Sequence, residues 1–254
     1  MENTSKNFIS NLKKQKHENK SLLFLDNAKI IRDALKNKTI KAQYILTSLS
    51  EEEFEALNID CTGVELYHTD ARSIEMLAGT KTPQKVLCIA YLTQYVVETP
   101  KTNFLVLDTL QDPGNVGTLI RTAKACGFEY IFLLDSVRKQ NDKLIRSSVG
   151  AVFDSKVYEM TKAEFVDFAK KNDLSLIMTD MDGENIFTFV ENNSTKNQLY
   201  GVVVGNEGNG VCEEIEKLCK VKVKIPMRDG IESLNAGVSG SIIMYEINKN
   251  TFKK

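Results

Sequence analysis

The sequence of 254 residues has no Trp and contains only two His, four Pro and five Cys. His17 and His68 stand apart from the Cys residues and from paired acids, so we expect neither a metal site nor a His-based catalytic triad. The number of Cys is odd and no Cys-x-x-Cys pair occurs, which predicts reduced thiols in a cytoplasmic protein.

Long apolar runs are also missing from the sequence. No stretch approaches the ~18–20 apolar residues that cross a bilayer. The polar, Lys-rich segment Met1–Lys20 lacks the apolar centre of a secretory signal. We therefore expect no membrane partner. Hydrophobic residues make up 42% of the chain and charged residues 26%, which excludes disordered, collagen-like and coiled-coil classes.

Charge is nearly balanced over the whole chain, at −1, but it is unevenly distributed. Residues 1–50 hold ten Lys and Arg against four acidic residues, a net charge of +6, which leaves −7 for the rest. A basic segment can be the footprint of a nucleic-acid partner. A solvated helix face explains it equally well, so charge alone does not decide.

The order of apolar runs and helical patterns predicts an α/β protein in two parts. Residues 1–95 form a small unit in which strands alternate with helices. We predict strands at Leu22–Leu25, Tyr44–Leu46, Val64–Tyr67 and Val86–Tyr91, and helices at Ala28–Leu35, Glu51–Leu57 and Ala71–Leu77. Pro100 lies in the polar stretch Thr93–Thr102, so we place a linker at residues 96–102.

A second alternating series occupies residues 103–254. Phe104–Leu110 is apolar almost throughout, which is typical of a strand buried on both faces. Further strands are predicted at Tyr130–Leu134, Lys156–Met160, Leu174–Thr179, Tyr200–Val204 and Val221–Ile225. Helices are predicted near 115–126, 142–148, 162–171, 211–219 and 233–248, and Glu191–Asn197 is taken as a polar loop. This alternation predicts a parallel sheet covered by helices on both faces.

Three polar stretches follow predicted strands, where ligands gather in open parallel sheets. In the first, Asn115 is expected to cap a helix on which Gly117 and Arg121 share one face. The missing side chain of Gly117 would leave room for a large group beside the guanidinium. The second stretch, Gly205–Gly210, has three Gly in six residues and follows neither the Rossmann nor the P-loop spacing.

The third stretch, Ile225–Asn235, opens the last predicted helix. Ser233 is expected to cap that helix, which would bury Leu234, Val238 and Ile242 and use two Gly for close packing. Taken singly, all three stretches are explained at least as well by ordinary capped helices with charges that suit the helix dipole.

Taken together, the order and spacing of these stretches resemble the three signature motifs of the SpoU/TrmH family of RNA ribose 2′-O-methyltransferases, part of the SPOUT superfamily. The matching residues are Asn115-x-Gly117-x-x-x-Arg121, Gly205-x-Glu207-Gly208-x-Gly210, Ile225-Pro226-Met227 and Ser233-Leu234-Asn235. The front of the chain is similar to that family's L30e-like domain, with Thr80–Gln84 as the loop that closes it. Asp26-Asn27 departs from the acidic-Gly pair usual there.

The resemblance implies a fold of two domains. An L30e-like RNA substrate-binding domain would occupy 1–95, and a methyltransferase domain with a C-terminal deep trefoil knot would occupy 103–254. Such a knot departs from the general rule that chains are unknotted. The resemblance also implies a homodimer that forms through the knot helices. Ribosomal RNA, and 23S RNA in particular, is the expected substrate because L30e-like domains are common among members that modify rRNA.

The resemblance implies S-adenosyl-L-methionine as the cofactor, held largely by backbone groups. The implied cofactor-binding residues are Gly205, Ile225 and Leu234, with Val204 and Met227 nearby. The implied catalytic residues are Arg121, Asn115, Glu207, Ser233 and Asn235. A guanidinium stays protonated, so Arg121 is expected to grip a phosphate and stabilise the oxyanion rather than act as a base. Glu207 would orient Arg121 or the nucleotide, and Asn235 would hold Asn115 or the ribose.

Because the second part of the chain is net acidic, we expect RNA affinity to come from the basic residues of the first. The candidates are Lys13, Lys14, Lys16, Lys20, Lys29 and Arg32. Transfer RNA is an alternative substrate, and an inactive RNA-binding module is an alternative function, disfavoured because all five implied catalytic residues are present. A Rossmann oxidoreductase is disfavoured because no GxGxxG follows an early strand.

Overall fold

A computed structural model of the chain describes residues 2–19, 21–80, 82–93, 96–193, 198–230 and 233–252. The chain divides into two compact units, Met1–Tyr95 and Val96–Lys254. Lys20, one of the predicted RNA-binding residues, lies outside the described residues.

The first unit is built on a mixed sheet with the strand order β1-β4-β3-β5-β2. β4 runs parallel to β1 and β3, whereas β5 runs antiparallel to β2 and β3. The strands are β1 (Glu2–Asn3), β2 (Leu22–Leu25), β3 (Ile40–Thr47), β4 (Glu65–His68) and β5 (Val86–Leu92). The helices are α1 (Lys6–Glu18), α2 (Ala28–Lys36), α3 (Glu51–Glu55) and α4 (Ala71–Leu77).

Helix α1 was not expected from the sequence. Its 13 residues bury only Ile9 and Leu12, too few apolar positions to mark a helix in a Lys-rich segment. Side chains hold it in place, because Lys16 Nζ donates to the Leu77 carbonyl at 2.6 Å and lies 5.2 Å from the centre of the Phe24 ring. At least one basic residue of the N-terminal segment, Lys16, therefore stabilises the first unit.

The start of α2 is fastened by two segments. Asn27 caps the helix by accepting from the Ile30 amide, and Gln84 Oε1 accepts from the Ala28 amide at 2.9 Å. Thr80 Oγ1 donates to the buried Asp26 carboxylate at 2.6 Å. The Asp26-Asn27 pair that departs from the family pattern thus anchors the Thr80–Gln84 loop to α2.

The second unit is a parallel sheet with the strand order β11-β9-β10-β6-β7-β8, which confirms the predicted α/β class. The strands are β6 (Phe104–Asp108), β7 (Tyr130–Leu134), β8 (Lys156–Met160), β9 (Leu176–Asn185), β10 (Gly201–Val204) and β11 (Cys219–Lys224). The helices are α5 (Pro113–Ala125), α6 (Asp142–Ser147), α7 (Ala151–Asp154), α8 (Lys162–Lys171), α9 (Ile186–Asn193), α10 (Glu213–Glu216) and α11 (Ala236–Asn248).

Strands β6, β7 and β10 are buried along their whole length, as a sheet covered on both faces requires. On one face, Phe104, Val106 and Val203 join a core with Phe165 of α8 and Ile215 of α10. On the other face α5 and α11 pack together. A Cβ on Gly240 of α11 would lie 2.6 Å from Leu119 of α5 and 2.8 Å from Val204 of β10.

Asn248 fastens the end of the last helix to the beginning of the sheet. It is 7% exposed, its Oδ1 accepts from Asn103 at 2.6 Å, and its Nδ2 donates to the Cys126 carbonyl at 2.6 Å. Asn103 also accepts from the Tyr200 amide at 2.7 Å. Residues far apart in sequence therefore meet at the amino-terminal edge of the parallel sheet.

Several predicted elements differ from the structure. Helix α9 was missed because its apolar residues, Ile186, Phe189 and Val190, precede the polar stretch read as a loop. Residues 194–197 of that stretch lie outside the described residues. Two residues of the predicted linker contact the second unit, since Val97 packs against its core and Glu98 pairs with Lys156 at 2.7 Å.

The starts of α5 and α11 also differ from prediction. Asp112 rather than Asn115 caps α5, accepting from the Asn115 amide at 2.8 Å. Asn235 rather than Ser233 caps α11, accepting from the Val238 amide at 3.3 Å. Val238 is 46% exposed, so the predicted buried stripe is wrong and Gly237, Gly240 and Ile243 face inward instead.

Gly117 does not leave room for a ligand. It is buried, and a Cβ built on it would overlap Ser147 and lie 2.8 Å from the Ser148 amide nitrogen. The space that the missing side chain opens is filled by the end of α6, which lets α5 and α6 approach closely. The predicted use of this glycine is therefore wrong.

We predict that Gly117→Ala destabilises the second unit although Ala is the better helix former. Overpacking against backbone costs about 1–3 kcal/mol, more than the ~1 kcal/mol of helix propensity gained. Urea unfolding followed by circular dichroism measures the difference. Thr118→Ala, at the exposed neighbouring position, is the control and should leave the midpoint nearly unchanged. A Gly117→Ala midpoint at or above wild type would contradict the packing argument.

Candidate functional site

A pocket of about 870 Å³ lies at the carboxyl ends of β9, β10 and β11. Its walls are formed by residues 179–181 from β9, by 204–207, 210 and 211 after β10, by 223–230 at and after β11, and by 233–236, 239 and 243 at the start of α11. A volume of this size is typical of sites for small organic ligands, which span ~300–1,000 Å³. The pocket occupies the position where parallel sheets bind ligands.

The five residues predicted to bind the cofactor all line this pocket: Gly205, Ile225, Leu234, Val204 and Met227. Three of the predicted catalytic residues line it too: Glu207, Ser233 and Asn235. The other two, Asn115 and Arg121, belong to α5 and are not among its lining residues. We call residues 115–121 motif one, 205–210 motif two and 225–235 motif three. Motifs two and three thus line the pocket, whereas motif one does not.

The loop after β10 closes on itself. Asn206 and Gly210 exchange backbone hydrogen bonds of 3.0 and 2.9 Å, and the Asn206 side chain accepts from the Gly208 amide at 2.9 Å. A Cβ on Gly205 would overlap the backbone of Gly210 and Val211. Gly205 is therefore required where the chain passes itself, a reason that does not depend on a ligand.

A buried carboxylate fastens this loop to β6. Asp108 is 1% exposed and accepts from the Cys212 amide at 2.7 Å and from Thr109 Oγ1 at 2.8 Å. Lys162 Nζ lies 3.5 Å from its Oδ1. Burial alone would lower the pKa of Lys162, but the combined effects of Asp108, Cys212 and Asp135 raise it above its usual value. A second fastening comes from Asn206 Nδ2, which donates to the Thr109 carbonyl at 3.1 Å.

Motif one and motif two meet through a side-chain hydrogen bond. Asn115 Nδ2 donates to Glu207 Oε1, which joins α5 to the loop after β10 across 92 residues of sequence. Near this bond, the side-chain oxygens of Asn115 and Asn235 both face Gly237, at 3.2 and 3.1 Å from where its Cβ would be. The lack of a side chain at Gly237 brings the starts of α5 and α11 together.

Arg121 lies on α5 six residues beyond Asn115, and its side chain is exposed. Within the described part of the chain it has neither an ion pair nor a hydrogen bond with Glu207, which bonds to Asn115 instead. Of the two roles expected for Glu207, orienting Arg121 or orienting the nucleotide, the structure therefore shows no contact for the first, and the second stays a prediction.

Sequence reasoning missed Asp108, Asn206 and the segment 179–181. Asp108 carries a recognisable signal, because a lone acidic residue ending an apolar strand must find partners once buried. Asn206 also carries one, since Asn often closes glycine-rich loops through its side chain. No such signal marks 179–181, which reach the pocket because β9 is longer than predicted.

The basic residues predicted to bind RNA are used unequally in the first unit. Lys16 and Arg32 donate to the Leu77 and Leu57 carbonyls at 2.6 and 2.7 Å. Lys14 and Lys29 pair loosely with acids one helical turn onward, at 3.8 and 3.6 Å. These two remain exposed, as does Lys13. An external polyanion can therefore reach Lys13, Lys14 and Lys29 more readily than the other two.

Among the described residues, no group of three or more His, Cys, Asp or Glu is placed to hold a metal ion. No helix among the described residues is long and apolar enough to cross a membrane.

Residues 102–245, more than half of the chain, match the model of the SpoU rRNA Methylase family. The chain belongs to the SpoU rRNA methylase family. The family predicted from the motifs is confirmed, and so is its class of activity, RNA methylation.

Among curated proteins, the chain is similar to the 23S rRNA (guanosine(2553)-2′-O)-methyltransferase RlmP of Bacillus subtilis. The two are 26% identical over 235 residues, which cover 92% of this chain and 91% of RlmP.

Two solved structures share the fold of this SpoU methylase. One is the AdoMet-bound rRNA methyltransferase of Sinorhizobium meliloti, with a TM-score of 0.85 and 20% identity over 100% of this chain and 99% of that one. The other is AviRb of Streptomyces viridochromogenes in complex with AdoMet, with a TM-score of 0.80 and 21% identity over 98% and 99%. Identities this low establish the fold alone.

We predict that Asp108→Ala strongly destabilises this SpoU methylase, because Cys212 and Lys162 lose a buried partner. Breaking a buried pair from one side costs about 3–5 kcal/mol, and the partial exposure of Lys162 places the expected loss near the lower end. Denaturant unfolding measures it. Asp173→Ala is the matched control, since Asp173 pairs with Lys220 at 3.7 Å while 96% exposed. Equal losses for the two variants would refute the anchoring role.

Proposed function

We propose that this SpoU methylase transfers a methyl group from S-adenosylmethionine to a ribose 2′-oxygen of 23S ribosomal RNA. The observation that carries the proposal is the junction of the three motifs, where Glu207 at the pocket wall is bonded to Asn115 of motif one. The relative RlmP acts on a guanosine of 23S rRNA, so a guanosine is the target we propose.

The pocket residues fit S-adenosylmethionine. Apolar side chains for an adenine ring come from Val204, Ile225 and Leu234. Gly205, Gly210 and Gly230 expose backbone along the wall, as backbone recognition of a cofactor requires. S-adenosylmethionine supplies a methyl group on a positively charged sulfur, which an oxygen nucleophile can attack. The protein binds and orients the methyl donor in the pocket, and it positions the ribose acceptor next to the pocket.

Residues of motif one stabilise the ribose that accepts the methyl group. A ribose hydroxyl is a weak acid, so negative charge develops on its oxygen during transfer and must be stabilised. Arg121 has no ion pair with any residue that the structure describes, and its planar fork of donors suits a phosphate beside the target nucleotide and the developing oxyanion. A guanidinium cannot take the proton because its pKa exceeds ~12. The proton leaves through that phosphate or through water.

Glu207 and Asn115 position the acceptor. The hydrogen bond from the Asn115 side-chain amide fixes one oxygen of the Glu207 carboxylate. The other oxygen stays available to accept a hydrogen bond from a nucleotide hydroxyl. Asn235 uses its side-chain oxygen to cap α11, so its amide group is the part available to the ribose. Ser233 completes the lining on the same side of the pocket.

The first unit serves as the RNA-binding domain, with an L30e-like fold over residues 1–95. Its basic helix α1 and the exposed Lys13, Lys14 and Lys29 supply attraction for the phosphates of the RNA. Residues 103–254 form the methyltransferase domain.

We further propose a trefoil knot at the carboxyl end of the methyltransferase domain. Two observations support it. β11 follows β10 in the chain but lies on the far side of β9, and α11 then returns to pack against α5 and β10.

The active form that we propose is a homodimer through the knot helices. Support comes from α11, which presents Val238 and Tyr245 to solvent at 46% and 54% exposure, next to Phe252 at 42%. The rings of Tyr245 and Phe252 contact each other at a tilt, with centres 5.5 Å apart, so they form one exposed apolar surface. A second copy of the same surface would cover it in a twofold interface.

The function is tested by incubating the protein with labelled S-adenosylmethionine and 23S rRNA from cells that lack the enzyme. We expect label at a single ribose, mapped as a site resistant to alkaline cleavage. Transfer to tRNA instead would overturn the rRNA assignment. Binding of RNA without transfer to either would support an inactive RNA-binding module.

We predict that Arg121→Lys lowers kcat by at least ~100-fold, the usual effect of losing an oxyanion donor. A single ammonium cannot replace a fork that binds phosphate through two bonds. Binding of S-adenosylhomocysteine, measured by calorimetry, should stay unchanged because Arg121 does not line the pocket.

Lys124→Ala, which removes an exposed charge from the same helix, is the control for the Arg121 experiment and should keep near-normal turnover. Near-normal turnover of the Lys variant at Arg121 would mean that the two-bond phosphate grip is wrong.

We predict that Lys13→Gln with Lys14→Gln weakens RNA binding and makes it less dependent on salt. Each lost phosphate contact reduces the slope of log affinity against log salt by ~0.7–0.9. Gel-shift titrations at several salt concentrations measure both effects. The control is Lys170→Gln with Lys171→Gln, two exposed lysines of α8. Equal slopes for the two double variants would exclude α1 from the RNA interface.

A further inference from the structure

The pairing of strand β9 with β11 is interrupted beside the pocket. Lys222 pairs with Met178, but the next residue of β11, Val223, pairs with Glu184, so residues 179–183 form an excursion out of the ladder. Gly183 closes it, because a Cβ there would lie 2.6 Å from the backbone of Lys222 and Val223. Residues 179–181 of the excursion line the pocket, which gives β9 a role in ligand binding.

Asp180 is the charged residue of the excursion that lines the pocket. Its side chain is 21% exposed, its Oδ1 accepts from the Asp182 amide at 2.9 Å, and its Oδ2 lies 2.9 Å from Lys222 Nζ. These two partners hold the pKa of Asp180 below its usual value. Lys222 is itself paired with Glu216 at 2.6 Å, so the carboxylate is held in a fixed orientation. Each of its oxygens has a second lone pair left for a ligand.

Strand register places Asp180 beside the glycine-rich loop. β9 and β10 run parallel and their last pair is Val203 with Met178, so Gly205 and Asp180 both lie two residues beyond it. A glycine loop after one parallel strand with a carboxylate after a neighbouring strand is also the arrangement with which dinucleotide-binding sheets hold a ribose. In those folds the carboxylate accepts from a ribose hydroxyl.

We propose that Asp180 accepts hydrogen bonds from the ribose hydroxyls of the methyl donor and so makes the pocket selective for a ribonucleoside. This assignment rests on the proposed function. The other charged lining residues suit the role less well. Lys224 and Arg228 have no acceptor, and Glu207 is exposed and is the carboxylate that we assign to the acceptor nucleotide. Asp229 is exposed, whereas Asp180 is enclosed and held by two partners.

The test is a thermodynamic cycle measured by calorimetry or ligand competition. Wild type and Asp180→Ala are each titrated with 5′-methylthioadenosine and with its 2′,3′-dideoxy counterpart, which lacks the hydroxyls. We expect Asp180→Ala to weaken 5′-methylthioadenosine binding at least tenfold and to change binding of the dideoxy compound less than twofold. Asp182→Ala, in the same excursion but outside the pocket lining, is the matched control and should bind both as wild type does.

Two results would overturn the assignment. Equal weakening of both nucleosides would mean that Asp180 does not contact the ribose. Weakening confined to S-adenosylhomocysteine, which carries the amino-acid tail, would mean that Asp180 binds the tail ammonium.

Asp180→Asn, which preserves volume, replaces the Ala variant if that one does not fold, with the same pattern expected at smaller amplitude. Lys222→Met shows whether the ion pair itself matters, and we expect it to retain the preference for the hydroxylated nucleoside. Failure of the methyl-donor part of the proposed function gives a separate result, because wild type would then bind no S-adenosylhomocysteine.

Discussion

The structure depends on fastening the loop after β10 to the end of β6. Asp108 is buried and would be costly to leave unpaired, so it fixes the Cys212 amide, while Asn206 ties the loop to the Thr109 carbonyl. Because both ends of this loop are held, Glu207 lies at the pocket wall and accepts a hydrogen bond from Asn115. The pocket wall and the start of α5 therefore share one support, which suits the methyl transfer that we propose.

Much of the fold could be predicted from local sequence. β7 and β8 are short apolar runs between turn residues, and their observed bounds are the predicted ones. Helices α1 and α9 could not be predicted this way. α1 buries two apolar residues and is held by long-range side-chain contacts, and the few apolar residues of α9 run directly into the polar stretch read as a loop.

The candidate site was predictable in its parts but not in its connections. Motif spacing identified Gly205, Glu207 and Asn115, yet spacing carries no information on which side chains meet. The bond between Glu207 and Asn115, rather than between Glu207 and Arg121, depends on how α5 approaches the loop. Gly117 makes the same point, since its role is set by Ser147 of α6, 30 residues away in sequence. Contacts of this kind are decided by tertiary packing.

The contacts of Asn248 determine when the second unit can complete its fold during synthesis. Its bonds to Asn103 and to the Cys126 carbonyl join the last helix to the beginning of the sheet, and Gly237 at the other end of that helix completes the site. Chains emerge from the ribosome amino terminus first, and their segments fold as they appear. The nascent second unit therefore cannot form its pocket until α11 has cleared the exit tunnel, so a ribosome-bound chain shorter than this is inert.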